Sequence, residues 1–191
     1  MPIPGAINIE KWIKEHADEL KPPVGNKVMQ IDDDFLIMVI AGPTKRFDFH
    51  YEPYAEWFYQ LKGNMHVTII EDGKRRRVDV KEGETWLMPA WTHHSPQRPE
   101  PGSIGIVLEA IRKPGETEYF KWFCPECDAE VHAIEVTVGD IEDDLPNVYK
   151  KFAHLSEEER TCPNCGHVHP AEPTGPEEYD GKVPNAVVLD A

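Results

Sequence analysis

Trp57-Phe58-Tyr59-Gln60-Leu61-Lys62-Gly63-Asn64-Met65-His66-Val67-Thr68-Ile69-Ile70-Glu71-Asp72-Gly73 is the stretch that decides the fold. Two runs rich in aromatic and β-branched residues, 57–61 and 65–70, flank Lys62-Gly63-Asn64, and Glu71-Asp72-Gly73 closes the second. Runs of this length and composition read as strands, and the glycine-bearing triplets as the turns between them. Working outward, the pattern repeats. Residues 35–40 form an almost continuous apolar run expected to be a buried strand, and 85–88 and 104–111 are further strands, with Gly42-Pro43 and Glu82-Gly83-Glu84 as punctuation. Many short strands at regular spacing predict a mainly β sandwich or barrel between Lys27 and Arg112. Before it, Ile9, Trp12, Ile13, Ala17 and Leu20 recur at helical spacing behind Asn8, a suitable N-cap. Residues 21–26, with two prolines and a glycine, end that helix in a loop.

The chain has 191 residues, 40% hydrophobic and 29% charged, which is globular composition with room for one domain and a small appendage. Its net charge of −15 argues against a nucleic-acid partner, which needs a concentrated positive field. The one basic run, Lys74-Arg75-Arg76-Arg77, is expected to be a solvated hairpin edge. No apolar stretch is long enough to span a bilayer, and the first residues carry no signal-peptide pattern, so a cytoplasmic protein without a membrane partner is expected. The four cysteines fall in two C-x-x-C pairs, Cys124/Cys127 and Cys162/Cys165. In a reducing compartment that spacing suits two knuckles sharing one tetrahedral ion better than two disulfides. Three segments are therefore expected: residues 1–112 as helix and barrel, 113–170 as a unit around the cysteines with a strand at 131–138, and 171–191 as an acidic flexible tail.

Two stretches carry the chemistry, residues 48–63 and 83–98. Together they resemble the two halves of the cupin signature: a His and a Glu before a glycine turn, then a Gly, a Pro and a His. The spacing from Pro89 selects His94 over His93. Asp48 stands where most cupins have the first histidine of a pair, and remains a possible fourth ligand; Trp91 and Arg98 also depart from the usual residues. The resulting set, His50, Glu56 and His94, is two imidazoles and one carboxylate. Such a triad on one face of a metal leaves neighbouring positions open, as non-haem Fe(II) oxygenases require. His16, His66, His132, His154 and His167 have no comparable frame.

From about Trp12 to Pro170 the chain resembles one cupin family in particular, 3-hydroxyanthranilate 3,4-dioxygenase in its short bacterial form. The resemblance rests on residues 21–26, Phe58-Tyr59-Gln60-Leu61, Lys81-Glu82-Gly83, His94-Ser95-Pro96-Gln97-Arg98-Pro99 and the knuckles Cys124-Pro125-Glu126-Cys127 and Cys162-Pro163-Asn164-Cys165-Gly166. It implies a jelly-roll-like cupin barrel with an N-terminal helix and a small rubredoxin-like metal unit. It implies an extradiol-type dioxygenase that opens 3-hydroxyanthranilate with O2 to 2-amino-3-carboxymuconate semialdehyde, the precursor of quinolinate in NAD biosynthesis or tryptophan breakdown. It implies Fe(II) on His50, Glu56 and His94, a second iron or zinc on the four cysteines, and a homodimer. Arg46, Arg98 and Glu109 are implied to face the substrate, Arg46 and Glu109 with catalytic roles, and Asn26 and Pro96 to line the entrance.

Residue chemistry supports these roles. An aromatic acid needs a cation for its carboxylate, and a guanidinium offers a bidentate grip that a lysine does not. Glu109, on a predicted strand, is expected to be paired with one of the two arginines, since a buried lone carboxylate is costly. Two alternatives stay open: a cupin dioxygenase for a related substituted aminophenol acid, and a non-catalytic cupin that binds a small acid.

Overall fold

The computed structural model describes residues 4–20, 25–137, 139 and 141–172, with backbone alone at 141–143. Helix α1 (Ile9–Glu15) forms where expected but stops at the His16 cap, short of Leu20, and the Asn8 side chain caps its start by accepting from the Lys11 N–H at 2.9 Å. Among the described residues eleven strands follow: β1 (Gly25–Ile31), β2 (Phe35–Ala41), β3 (Asp48–Tyr51), β4 (Glu56–Lys62), β5 (Met65–Glu71), β6 (Lys74–Val80), β7 (Thr85–Met88), β8 (His93–Gln97), β9 (Ile104–Ala110), β10 (Glu118–Phe123) and β11 (Glu130–Val136). Helix α2 (Ile141–Ala153) comes after them.

The strands form two antiparallel sheets, β1-β2-β9-β4-β7 and β11-β10-β3-β8-β5-β6. Strands β4 and β5 show why. Glu56, Phe58 and Gln60 are buried while Trp57 and Tyr59 are not fully so, and Met65, Val67 and Ile69 repeat the alternation. A period of two puts one set of side chains on each face. The inward sets meet in one core in which Leu36, Met38, Phe58 and Val107 of the first sheet join Met65, Val67, Ile69 and Phe120 of the second. This is the expected mainly β arrangement of two packed sheets. The β5–β6 hairpin turns on Asp72 (φ 50°) and Gly73 (φ 74°), two successive positive φ values that match a type I′ turn. On the outer face of the first sheet, Ile13 and Leu20 cover Val39, Ala41 and Ile104.

The segment after Arg112 shares both sheet and core with what precedes it. Strand β10 lies between β3 and β11, and Leu145, Val148 and Phe152 of α2 enter the main core, Phe152 stacking on Trp122 at 4.0 Å. Of the basic run, Arg76 and Arg77 are exposed as expected, but Arg75 is half-buried. It donates to the carbonyls of Phe123 (2.8 Å) and Cys124 (2.6 Å) and pairs with Asp128. The edge strand β6 is thereby fastened to the first cysteine knuckle. Strand β11 stops at Val136, and Gly25 and Asn26 of the expected loop already belong to β1; Val138, residues 21–24 of that loop and residues 173–191 of the expected tail lie outside the described residues.

Candidate active site

Short polar strands bring the site together. His50 of β3 stands directly opposite His94 of β8, so both rings point to the same inner face, 5.2 Å apart between centroids. Glu56 opens β4 from the facing sheet. All three are buried. Their ligand-grade atoms, with one from Glu52, lie within 4.8 Å of one another.

The hydrogen bonds show what the cluster is built to hold. His94 Nδ1 lies 2.9 Å from the Thr92 carbonyl oxygen, which can only accept, so Nδ1 carries the proton and Nε2 presents a lone pair. That Nε2 sits 2.8 Å from Glu56 Oε1, another acceptor. Two acceptors at this distance need a shared proton or cation. Burial holds the His94 pKa below its usual value, which disfavours a second proton on the ring. Burial, with the charge of Glu109, pushes the Glu56 carboxyl up to about 7. A divalent cation would meet all of these donors and favour the ionised carboxylate, and the set fits it. His50 turns Nδ1 toward Glu52 (3.8 Å) and Glu56 (3.9 Å), and its Nε2 lies 3.2 Å from Glu118. The ring stacks on Phe120 at 4.6 Å.

His93, one residue away, is half-buried and stacks on Tyr51 at 4.0 Å, apart from the cluster. Asp48 is buried but committed to Arg46, which donates to it through Nε (3.2 Å) and Nη2 (2.5 Å). The fourth member of the cluster, and its second carboxylate, is Glu52, which the sequence reading passed over. Asp48, His50 and Glu52 alternate, and that period-two spacing places all three on one face.

Arg98 is 2% exposed, yet its Nε and Nη2 have no acceptor. Among the described residues it is the largest fully buried side chain, and burial lowers its pKa to about 10. An unpaired guanidinium out of water is a seat for an anion, because leaving it unpaired is expensive. Arg46 and Glu56 both act on its charge, so it lies beside the cluster.

Glu109, 4% exposed on β9, is paired with neither expected arginine. Its partner is Arg112, whose Nη1 donates to it at 2.5 Å. The same guanidinium reaches Glu52 through Nη2 (2.6 Å) and Glu118 through Nε (3.1 Å). Neither Arg112 nor Glu118 stands out in the sequence, since their meeting depends on pairing between distant strands. Asn26 is half-buried in β1 opposite Ile40, and Pro96 is buried in β8 opposite Val67.

The four cysteines converge, with Cys124 Sγ 3.5 Å from Cys165 Sγ and Cys127 Sγ 3.6 Å from Cys162 Sγ. Those separations far exceed a disulfide's roughly 2.05 Å. They approach the edge of about 3.8 Å between sulfurs placed about 2.3 Å from one tetrahedral ion. Each knuckle closes the same way, the Asp128 N–H donating to the Cys124 carbonyl and the Gly166 N–H to the Cys162 carbonyl, both at 3.0 Å.

Comparison with known proteins places the chain in one family. Residues 1–153 match the family model for 3-hydroxyanthranilic acid dioxygenase. A 3-hydroxyanthranilate 3,4-dioxygenase of Paraburkholderia phytofirmans is 47% identical over 166 residues, 87% of this chain and 95% of that protein. One from Shewanella woodyi is 46% identical over 167 residues, 87% of this chain and 88% of that protein.

Proposed function

The chain belongs to the 3-hydroxyanthranilic acid dioxygenase family, and we propose that His50, Glu56 and His94 hold the ferrous ion with which it works. The protein is a dioxygenase that opens the ring of 3-hydroxyanthranilate with O2, giving 2-amino-3-carboxymuconate semialdehyde, the precursor of quinolinate. The observation that carries the assignment is the His94–Glu56 approach at 2.8 Å, two acceptors with the ring's other nitrogen already committed to Thr92.

When bound, the iron would give the substrate's adjacent hydroxyl and amino groups a Lewis-acid seat and would pass electrons from the aromatic ring, the net reductant, to dioxygen. The protein's own residues do the rest. Arg98 grips the substrate carboxylate with its unpaired Nε and Nη2, fixing which ring carbons face the metal. Arg46, held at its base by Asp48, adds a second positive charge on the same side. Glu109 keeps Oε2 on Arg112 and receives the substrate's hydroxyl proton at Oε1. Burial of the whole set excludes bulk water and strengthens each of these charges.

The cysteine site belongs to the same proposal as a structural centre, iron or zinc. With four sulfurs it has no open position for chemistry. Residues 1–112 then carry the catalytic metal and 113–170 the structural one, in a homodimer of the cytoplasm. Among the described residues no helix is long and apolar enough to cross a membrane.

The test is oxygen uptake by iron-loaded protein on adding 3-hydroxyanthranilate. One O2 consumed per substrate, abolished in His94→Ala, is expected; uptake that survives His94→Ala would overturn the ligand assignment.

A further inference from the structure

We propose that Arg112 is a positioning residue that withholds Glu52 from the metal, so that the coordination positions a substrate needs stay open. This rests on the assignment of His50, Glu56 and His94 as ligands.

Glu52 is as well placed for coordination as the three. Its ligand atom belongs to the same group within 4.8 Å, it is 1% exposed, and its Oε1 has no hydrogen-bond partner. A free carboxylate beside a divalent cation would bind it, and a fourth protein ligand fills a position that a catalytic centre keeps for substrate. What restrains Glu52 is the charge-assisted bond from Arg112 Nη2 to its Oε2 at 2.6 Å.

Arg112 is itself held fast. Its side chain is 8% exposed, and Nη1 and Nε are engaged by Glu109 and Glu118. Those carboxylates come from different places: Glu109 from β9 in one sheet, Glu118 from the start of β10 in the other, and Glu52 from the residue after β3. One planar fork thus spans both sheets beside the ligands, with its Nε, Nη1 and Nη2 all occupied. A lysine, a single point charge on a flexible stem, cannot hold three carboxylates in this way. Glu118 also lies 3.2 Å from His50 Nε2, so the anchor that restrains the non-ligand also supports the carboxylate beside a ligand.

The experiment uses Co(II) in place of iron, with visible spectra and chelator competition reporting the metal, and anaerobic titration reporting 3-hydroxyanthranilate binding. Arg112→Lys should bind Co(II) as tightly as the parent or more tightly. Its affinity for 3-hydroxyanthranilate should fall by roughly tenfold or more, because a released Glu52 would compete for a position that the substrate needs. Adding Glu52→Gln to Arg112→Lys should recover most of that affinity, which separates capture by Glu52 from any effect of releasing Glu109. Joint loss of Co(II) and substrate binding in Arg112→Lys, unrelieved by Glu52→Gln, would show a purely supporting role and overturn the proposal. Should Arg112→Lys fail to fold, Glu52→Gln alone decides: unchanged Co(II) affinity supports the idea, and loss of Co(II) shows that Glu52 already ligates. Retention of Co(II) by His94→Ala would instead refute the ligand set itself, a result distinct from all of these.

Discussion

Gly105 makes room for Arg98. A Cβ at Gly105 would lie 2.7 Å from Arg98 Nη2 and 2.8 Å from Gln60 Oε1, so the guanidinium occupies the volume that any other residue's side chain would take. Both atoms are the far ends of flexible chains. Gly105→Ala should therefore fold and push Arg98 aside, raising KM for 3-hydroxyanthranilate with little change in Tm. Steady-state kinetics beside a thermal melt checks this.

Removing the guanidinium outright is the sharper form of the same test. Arg98→Ala should weaken binding of 3-hydroxyanthranilate by roughly ten- to hundredfold, since a hydrogen bond to a charged partner contributes about 1.5–3 kcal/mol. For 2-aminophenol, which has the same chelating pair but no carboxylate, the change should be much smaller. Equal losses with both compounds would mean that Arg98 supports the fold or the metal and does not read the acid.

Neighbouring histidines should behave oppositely. His94→Ala is expected to lose iron from the barrel, whereas His93→Ala should keep it, because the His93 ring is stacked on Tyr51 away from the cluster. Burial beside Lys121 already holds the His93 pKa down to about 4, so it is neutral across the working range. Metal analysis of the two purified variants decides between them.

The Glu56 carboxyl, raised to about 7 by burial and then by the charge of Glu109, gives the metal-free protein a pH dependence of known sign. Between its unfolded value near 4.5 and about 7 the folded state holds more protons than the unfolded one, so this group's contribution to stability falls as pH rises through that window. Glu56→Gln removes the effect. The Tm advantage of Glu56→Gln over the metal-free parent should grow from pH 4.5 to about 7 and level off above it. Iron affinity should rise over the same window, because binding expels the proton.

Cys124→Ser or Cys162→Ser should empty the second metal site and lower Tm, while turnover per iron-loaded molecule largely survives. Both residues are buried, so each variant leaves a hydroxyl among apolar neighbours as well as an incomplete ligand set. A folded variant with a silent barrel would give the cysteine metal a part in turnover.

What could be read from the chain follows from how local each feature is. The Asp72-Gly73 hairpin, the Asn8 cap and strands β2, β4, β5, β7 and β9 are written in short-range pattern, and so are the two knuckles and the half-motifs holding His50, Glu56 and His94. Strands β3 and β8 were harder to see, because their inward positions carry Asp48, His50 and His94 where an ordinary strand has apolar residues. The Arg112 hub was not legible at all. Glu52, Glu109 and Glu118 are brought to it by the pairing of β3, β9 and β10 with their neighbours, and no spacing along the chain encodes that meeting. For this reason Glu109 was expected on Arg46 or Arg98 and is found on Arg112.

The interior position of β10 has a consequence for how the protein is made. A nascent chain that has emerged only as far as Arg112 holds all three proposed ligands, yet lacks Glu118 beside His50, the Phe120 ring stacked on it, and the α2 residues that complete the core. At about 5–20 residues per second, the next 40 or so residues take roughly 2–8 s to synthesise. During that interval the histidines and carboxylates are open to the cellular medium, and any ion they capture is held by an unfinished cradle. Loading of the barrel is thus expected late, timed by the arrival of a segment that contributes none of the three proposed ligands.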